Sequence, residues 1–167
     1  FSVDGACLRK VEISDITMDG VRKPMMFRLG ARLSVFRKQE DMKQSTGTFE
    51  NVVVRNVRAV AADKAQLDPP SGILVTGVPG HYITNLTLEN IHIRLLGTGT
   101  EEDACRQVPE AVDQYPEVKT FGPKIPAYGV WARHVKGLKL KNVTFELKNP
   151  DARPKIICED GDMEIYE

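Results

Sequence analysis

The hydrophobic positions of this chain follow a pattern that recurs four times. Each copy reads apolar-x-x-apolar-x-apolar-x-(Asn or Asp)-apolar-x-apolar, and the copies begin at Leu8, Phe49, Ile83 and Val135. Apolar and polar positions alternate on both sides of the Asn or Asp, which is the periodicity of a strand and not of a helix. Asn and Asp tolerate the left-handed backbone conformation. The pattern therefore predicts, in each copy, two strands joined by a sharp corner at Asp15, Asn56, Asn90 or Asn142.

A shorter strand recurs between these units, at residues 25–29, 72–76 and 129–133, with further copies at residues 1–3 and 155–158. The spacing is 26 residues from Phe1 to Phe27 and again from Val130 to Ile156. Stacked copies of such a strand-rich turn predict an all-β chain folded as a parallel β-helix. A leucine-rich repeat would need a helical half, which the pattern lacks. A β-sandwich stays open but does not explain the repeated corner residue.

The two middle turns are longer than the others, which predicts loop insertions near residues 33–48 and 97–126. Repeat proteins collect their insertions in loops on one face. The first insertion is charged from Lys38 to Lys43, and the second contains four prolines, which indicates an ordered surface loop. With 167 residues, the chain suits a single β-helix segment, 1–167, of about four to five coils. It begins at Phe1, already within the repeat pattern, and we interpret it as a piece of a longer protein.

Composition and charge narrow the classes of function. Lys and Arg number 23 and Asp and Glu number 23, so the basic excess typical of a nucleic-acid-binding protein is absent. The sequence has no apolar run near the roughly 20 residues of a membrane-spanning helix, and we expect no membrane partner. Its three cysteines form no C-x-x-C pair, so we expect no metal site and no cofactor. The acidic run 159–162 indicates a solvated tail.

Four segments together resemble a known family. They are VEISDITMDGVRKPMMFRLGAR from Val11, SGILVTGVPGHYITNLTLENIHI from Ser71, QYPEVKTFGPKIPAYGVWARHVKGLKLKNV from Gln114, and PDARP from Pro150. They resemble the C-terminal coils of glycoside hydrolase family 28, the polygalacturonases, over nearly the whole chain. The resemblance implies a right-handed, pectin-lyase-like parallel β-helix. It also implies that the parent protein is secreted or periplasmic.

The resemblance implies that the parent protein hydrolyses pectic polysaccharide that contains galacturonic acid, with inversion at the sugar. Inversion needs a carboxylic acid and a carboxylate on opposite sides of the sugar ring. The family's catalytic motifs are Asn-Thr-Asp, Asp-Asp and Gly-His-Gly, and this sequence contains none of them. We therefore expect no catalytic residue in this chain. The parent is expected to be a glycosidase, and this chain alone is expected to be inactive.

Six side chains are candidates for binding acidic sugar. Alternation along the short strands is expected to place Arg28 and Trp131 outward, where a guanidinium binds a carboxylate and an indole packs on a sugar ring. For Arg28 the alternative is a solvated surface residue, and for Trp131 it is burial beneath the loop 97–126. Arg32 is a second candidate for binding the carboxylate, with the same alternative as Arg28. Three residues that flank the strand of Trp131 are candidates for the rim of the cleft, and for each the alternative is an ordinary surface residue or a polar residue satisfied within the fold: Tyr128, Arg133 and His134.

Two other functional readings stay open. A β-helix without catalytic residues binds polysaccharide or forms a structural stalk, and a polysaccharide lyase of the same fold abstracts a proton, usually with calcium. The expected partner is pectic polysaccharide or an oligogalacturonide. Because the edge near Phe1 presents unpaired backbone groups, self-association through the N-terminal coil is also expected.

Overall fold

The structure, a computed structural model, describes residues 1–33, 44–64 and 66–167. The charged tract from Lys38 to Lys43 lies outside the described residues. Eight strands form one sheet, together with a one-turn helix α1 at Glu101–Ala104 and a 3₁₀ turn at Val118–Phe121. The strands are β1 Ser2–Asp4, β2 Cys7–Val21, β3 Met25–Gly30, β4 Thr48–Ala61, β5 Ile73–Thr76, β6 Ile83–Leu95, β7 Val130–Leu147 and β8 Ile156–Tyr166.

All pairings among these eight strands of the described residues are parallel, and the strand order is β1-β3-β5-β7-β6-β4-β2 with β8 on the other edge of β7. The registers follow the sequence repeat. Leu8 pairs with Phe49, Phe49 with Ile83, and Ile83 with Val135. The sheet winds into a nearly closed, barrel-like solenoid. The prediction of an all-β parallel solenoid is therefore confirmed, since the recurring positions lie above one another in successive coils.

The four predicted corners are confirmed in backbone conformation and in hydrogen bonding. Asp15, Asn56, Asn90 and Asn142 have φ values of 61°, 55°, 52° and 49°. Each Asn Nδ2 donates to the side-chain oxygen of the corner one coil below, at distances of 3.0, 3.2 and 3.0 Å along the stack. The corners thus form a continuous side-chain ladder. We call the outer surface of β2, β4, β6 and residues 135–147 of β7 the ladder face.

A second line of corners runs along the same strands, where the sequence pattern did not predict it. Lys10, Asn51, Asn85 and Gly137 all have positive φ, and Asn85 Nδ2 donates to Asn51 Oδ1 at 3.1 Å. At Gly137 a Cβ would lie 2.7 Å from Asn85 Oδ1, so glycine fits where the ladder continues. The residue type changes from coil to coil, and for this reason the line does not stand out in the sequence.

Inward-facing side chains fill the solenoid with a continuous apolar core. Phe27, Ile73 and Val130 of the short strands meet Leu88 and Leu140 of the long ones, and all are almost fully buried. Burial of this surface is the main stabilising contribution to such a fold. The two ends of the stack are less enclosed, since Leu8, Val11 and Ile13 of the first coil, and Met163 of the last, are only partly buried.

The insertion 97–126 folds onto the outer side of the short strands. We call that outer side, formed by β1, β3, β5, residues 130–133 of β7 and residues 156–159 of β8, the covered face. Val118, Phe121 and Ile125 of the insertion pack against Leu74 and Trp131 in a second apolar cluster. The insertion is therefore an ordered cover with its own small core. In the described part of the chain, no helix has the length and apolar character needed to cross a membrane.

Candidate functional site

Arg28 lies on the covered face, and it points outward as alternation predicts. The expectation that it is exposed in a cleft is wrong, since it is only 1% exposed. Its Nη1 donates to Thr76 Oγ1 at 3.1 Å and to the Gly77 carbonyl at 2.8 Å. Its Nη2 donates to the carbonyls of Glu110 and Ala111 in the insertion at 3.2 and 3.0 Å. Arg28 therefore anchors the insertion.

The electrostatic environment of Arg28 reflects this burial. Loss of solvent and, second, the positive charge of Arg133 lower the pKa of Arg28 to about 10. The guanidinium carbon also lies 5.0 Å from the centre of the Phe121 ring, which is a cation–π contact supplied by the insertion. The guanidinium of Arg28 is therefore bound by a hydroxyl, three backbone carbonyls and an aromatic ring of the chain itself.

Trp131 is completely buried beneath the insertion, so the alternative reading of this residue is confirmed. It packs with Phe121 at a ring distance of 6.4 Å, and its Nε1 donates to Glu159 at 3.3 Å. In register it follows Leu74 and Met26 of the earlier coils. The indole is therefore the centre of the second apolar cluster and does not offer its face to solvent.

Arg133 is the outward residue that stacks in register with Thr76 and Arg28. It is 6% exposed, which agrees with the alternative reading of a polar residue bound within the fold and not with a position on a cleft rim. Its Nη1 and Nη2 donate to the carbonyls of Val108 and Pro109, both at 2.8 Å. Carboxylate oxygens of Glu110 and Glu159 lie 3.3 and 3.8 Å from Nη1. Arg133 thus joins the insertion to the last two coils.

His134 occupies a corner with φ of 53° and is held between two carboxylates. Its Nδ1 lies 2.5 Å from Asp160 Oδ2, and its Nε2 lies 2.9 Å from Glu110 Oε2. Each ring nitrogen of His134 therefore faces a carboxylate oxygen. His134 is 5% exposed and both ring nitrogens have partners, which agrees with the alternative reading of a satisfied polar residue and not with the rim.

Tyr82 and Lys136 complete the surroundings of His134. The Tyr82 ring stands edge-on to the imidazole, with 6.1 Å between the ring centres, and the Tyr82 hydroxyl donates to Asp160 at 2.9 Å. Lys136 Nζ lies 4.1 Å from the centre of the Tyr82 ring. Hydrogen bonds with His134 and then with Tyr82 lower the pKa of Asp160, and the same contact raises the pKa of Tyr82. The acidic run 159–162 is exposed to solvent as expected, but it lies within β8, and Asp160 is bound to His134 and Tyr82.

Arg32 and Tyr128, the two other candidates, lie in different places. The side chain of Arg32 is about 30% exposed, and its Nε lies 3.6 Å from Asp4 Oδ2. Its guanidinium carbon lies 4.9 Å from the centre of the Tyr115 ring. Tyr115, at the tip of the insertion, is 59% exposed. Tyr128 instead packs edge-on against Phe145 at 6.3 Å beside the main core, so its expected place at the cleft rim is wrong.

Sequence reasoning did not find the group that fixes the base of the insertion. Arg153 and Asp151 form an ion pair at 2.7 Å with both side chains fully buried. Arg153 also donates to the carbonyls of Pro70 and Ile125 at 2.7 and 3.0 Å. Burial alone would raise the pKa of Asp151, but hydrogen bonds from Arg153 and Gly99 hold it below its usual value. In the sequence, the segment Pro150–Pro154 stood out only as part of the family resemblance, and nothing in it indicated a buried ion pair.

The covered face and the corner beside it thus bring together Arg28, Trp131, Arg133 and His134, whereas the half-buried Arg32 and the exposed Tyr115 form a pair at its edge. Within residues 1–33, 44–64 and 66–167, no group of three or more His, Cys, Asp or Glu side chains is arranged to hold a metal ion. A scan against protein-family models, a search of curated proteins and a search of solved structures each found no match.

Proposed function

We propose that this chain forms C-terminal coils of a polygalacturonase-like glycoside hydrolase and contributes binding of acidic polysaccharide. The parallel solenoid with its ladder of Asn corners supports the proposal, since the resemblance implies a right-handed, pectin-lyase-like β-helix. The whole protein would hydrolyse galacturonic-acid-containing pectic chains with inversion. Because such polymers lie outside the cytoplasm, the parent would be secreted or periplasmic.

The observation that carries the binding role is the pair of Arg32 and Tyr115. An exposed aromatic ring suits the apolar face of a sugar, and a guanidinium beside it suits the carboxylate of a uronic acid. The pair joins the edge of β3 to the tip of the insertion, and Ser2 Oγ donates to the Pro116 carbonyl at 3.4 Å beside it. A bound oligosaccharide would therefore lie across the edge of the cover, above the first coil.

Binding is tested by calorimetric titration of the chain with oligogalacturonides and, as a neutral control, with dextran oligosaccharides. We expect weak, millimolar binding to the acidic ligand only. Arg32→Ala and Tyr115→Ala should each abolish it. The matched control is Arg94→Ala, because Arg94 is an arginine of the ladder face, 58% exposed and paired with Glu146. Equal binding of both sugars, or an equal loss in the control, would contradict the proposal.

Catalysis is tested separately by release of reducing sugar from polygalacturonate. The chain alone should show no turnover, since inversion needs two positioned carboxyl groups and the sequence has none of the family's motifs. Joining the chain to its upstream coils should restore turnover. Turnover by the chain alone, abolished by changing an Asp or Glu within it, would place the active site here and overturn this part of the proposal.

A further inference from the structure

The carboxylate of Glu110 lies between the side chains of Arg133, on the covered face, and His134, at the corner beside it. Its Oε1 is 3.3 Å from Arg133 Nη1, and its Oε2 is 2.9 Å from His134 Nε2. The side chain of Glu110 is 42% exposed, whereas those of Arg133 and His134 are 8% and 7% exposed. The guanidinium and the imidazole are therefore built into the coil, and the carboxylate reaches them from the solvent side.

Glu110 meets Arg133 at one point only. Its Oε1 lies 3.3 Å from Nη1, which is longer than the roughly 2.7–2.9 Å of a well-formed charge-assisted hydrogen bond. Nη1 and Nη2 each also donate to a backbone carbonyl of the insertion at 2.8 Å, so these contacts hold the guanidinium without help from Glu110. The subsite is therefore built independently of Glu110, and its present occupant contacts it with incomplete geometry.

We propose that Arg133 and His134 form a binding subsite for the carboxylate of an acidic sugar, and that Glu110 occupies this subsite in cis as a competitor of the ligand. The identity of the ligand as a uronic acid rests on the proposed function above. Exchange needs only rotation of the Glu110 side chain, because the carbonyls of residues 108–111 stay bound to Arg28 and Arg133. One carboxylate replaces another, so the charge of the subsite is conserved.

The neighbouring charges limit the ligand to a single carboxylate at this position. Glu159 Oε2 lies 3.8 Å from Arg133 Nη1, and Asp160 Oδ2 contacts the other ring nitrogen of His134, Nδ1. Lys136 and Arg28 add positive charge at the margins. A neutral sugar, or a methyl ester of the acid, lacks the group that the subsite recognises. Glu110, being tethered, competes at an effective concentration in the millimolar range.

The test compares Glu110→Gln with the unchanged chain in titrations with D-galacturonate and its methyl ester, followed by calorimetry and by the NMR signals of the His134 ring. Glu110→Gln should bind D-galacturonate at least about tenfold tighter. Addition of Arg133→Lys should reverse this gain. The matched control is Glu146→Gln, because Glu146 also contacts an arginine and a histidine, at 3.2 and 3.6 Å, on the exposed ladder face.

An unchanged affinity in Glu110→Gln, or an equal gain in Glu146→Gln, would overturn the subsite. If the unchanged chain binds oligogalacturonide through Arg32 while Glu110→Gln gains nothing, the proposed function stands and the subsite falls. If Glu110→Gln binds D-galacturonate but no variant binds the oligomer, the subsite stands and the proposed function falls. Should Glu110→Gln unfold, Glu110→Asp keeps the charge on a shorter stem and must give an intermediate gain.

Discussion

The ladder face and the covered face are built from one parallel sheet with the same alternation of side chains, yet their outward residues differ in environment. On the ladder face, Arg58 and Thr144 are exposed to solvent. On the covered face, Arg28 and Trp131 are 1% and 0% exposed. The difference comes from the insertion 97–126, which packs on the covered face alone.

The comparison separates direction from exposure. A strand period of two decides whether a side chain points into the coil or away from it. Whether an outward side chain meets water depends on what else packs there, and a distant part of the chain supplies that partner. Outward arginines on the covered face therefore bind loop carbonyls, while Arg55 and Arg94 on the ladder face pair with exposed glutamates.

The largest expected effect comes from removing the centre of the cover. Trp131→Ala should lower the free energy of unfolding by about 4 kcal/mol, because it leaves a cavity between β7 and the insertion. Urea denaturation measures the loss, and hydrogen exchange should show residues 97–126 losing more protection than the ladder strands. Tyr115→Ala, at an aromatic residue that is 59% exposed, should change stability by less than about 0.5 kcal/mol. Equal protection loss on both faces would contradict an independent cover.

Breaking the buried pair at the base of the insertion should come next. Asp151→Asn should cost about 3 kcal/mol, because it leaves Arg153 buried without its counter-charge. The folded pKa of Asp151 is lowered, so its contribution is present above the unfolded pKa and is lost as pH falls through the folded value. The stability of the unchanged chain should therefore fall in acid more steeply than that of the variant.

The matched control for this pair is Asp63→Asn. Asp63 pairs with Lys148 at 3.3 Å, and both side chains are 65% exposed. Exposed pairs contribute about 0–1 kcal/mol, so stability should barely change. Similar acid profiles for Asp151→Asn and Asp63→Asn would show that the buried pair does not control the cover.

A smaller effect is expected on the ladder face. Asn90→Leu should cost about 2 kcal/mol, because leucine disfavours the left-handed conformation and removes the hydrogen bonds to Asn56 and Asn142. Asn90→Gly keeps the conformation accessible and should cost about 1 kcal/mol. Thermal unfolding of both variants separates backbone strain from ladder bonding. If the glycine variant were as unstable as the leucine variant, the conformational contribution would be negligible.

The weakest expected effect is association through the first coil. β2 pairs with β4 along one edge, and Ile13 of β2 is only partly buried against the core. We propose self-association of this edge at high concentration, observable by light scattering near millimolar protein. Ile13→Lys, an inward charge on the edge strand, should suppress it, whereas Thr17→Lys on the outer side should not. A monomer at all concentrations would count against the proposal.

The sequence by itself determined the repeat and its corners. Asp15, Asn56, Asn90 and Asn142 could be predicted because each corner needs the same left-handed conformation, and that need recurs at the same point of every coil. The outward direction of Arg28 and Trp131 also followed from local periodicity. Both results depend only on residues close together in the chain.

Only the tertiary structure decided which outward residues are accessible. The contacts of Arg133 and His134 with Glu110, and of His134 with Asp160, join segments separated by more than twenty residues. Nothing in the local period of β7 encodes where the insertion 97–126 lands or where the last coil ends its strand. Long-range packing and charge pairing fix these positions, and therefore the candidate site could be recognised only in the folded chain.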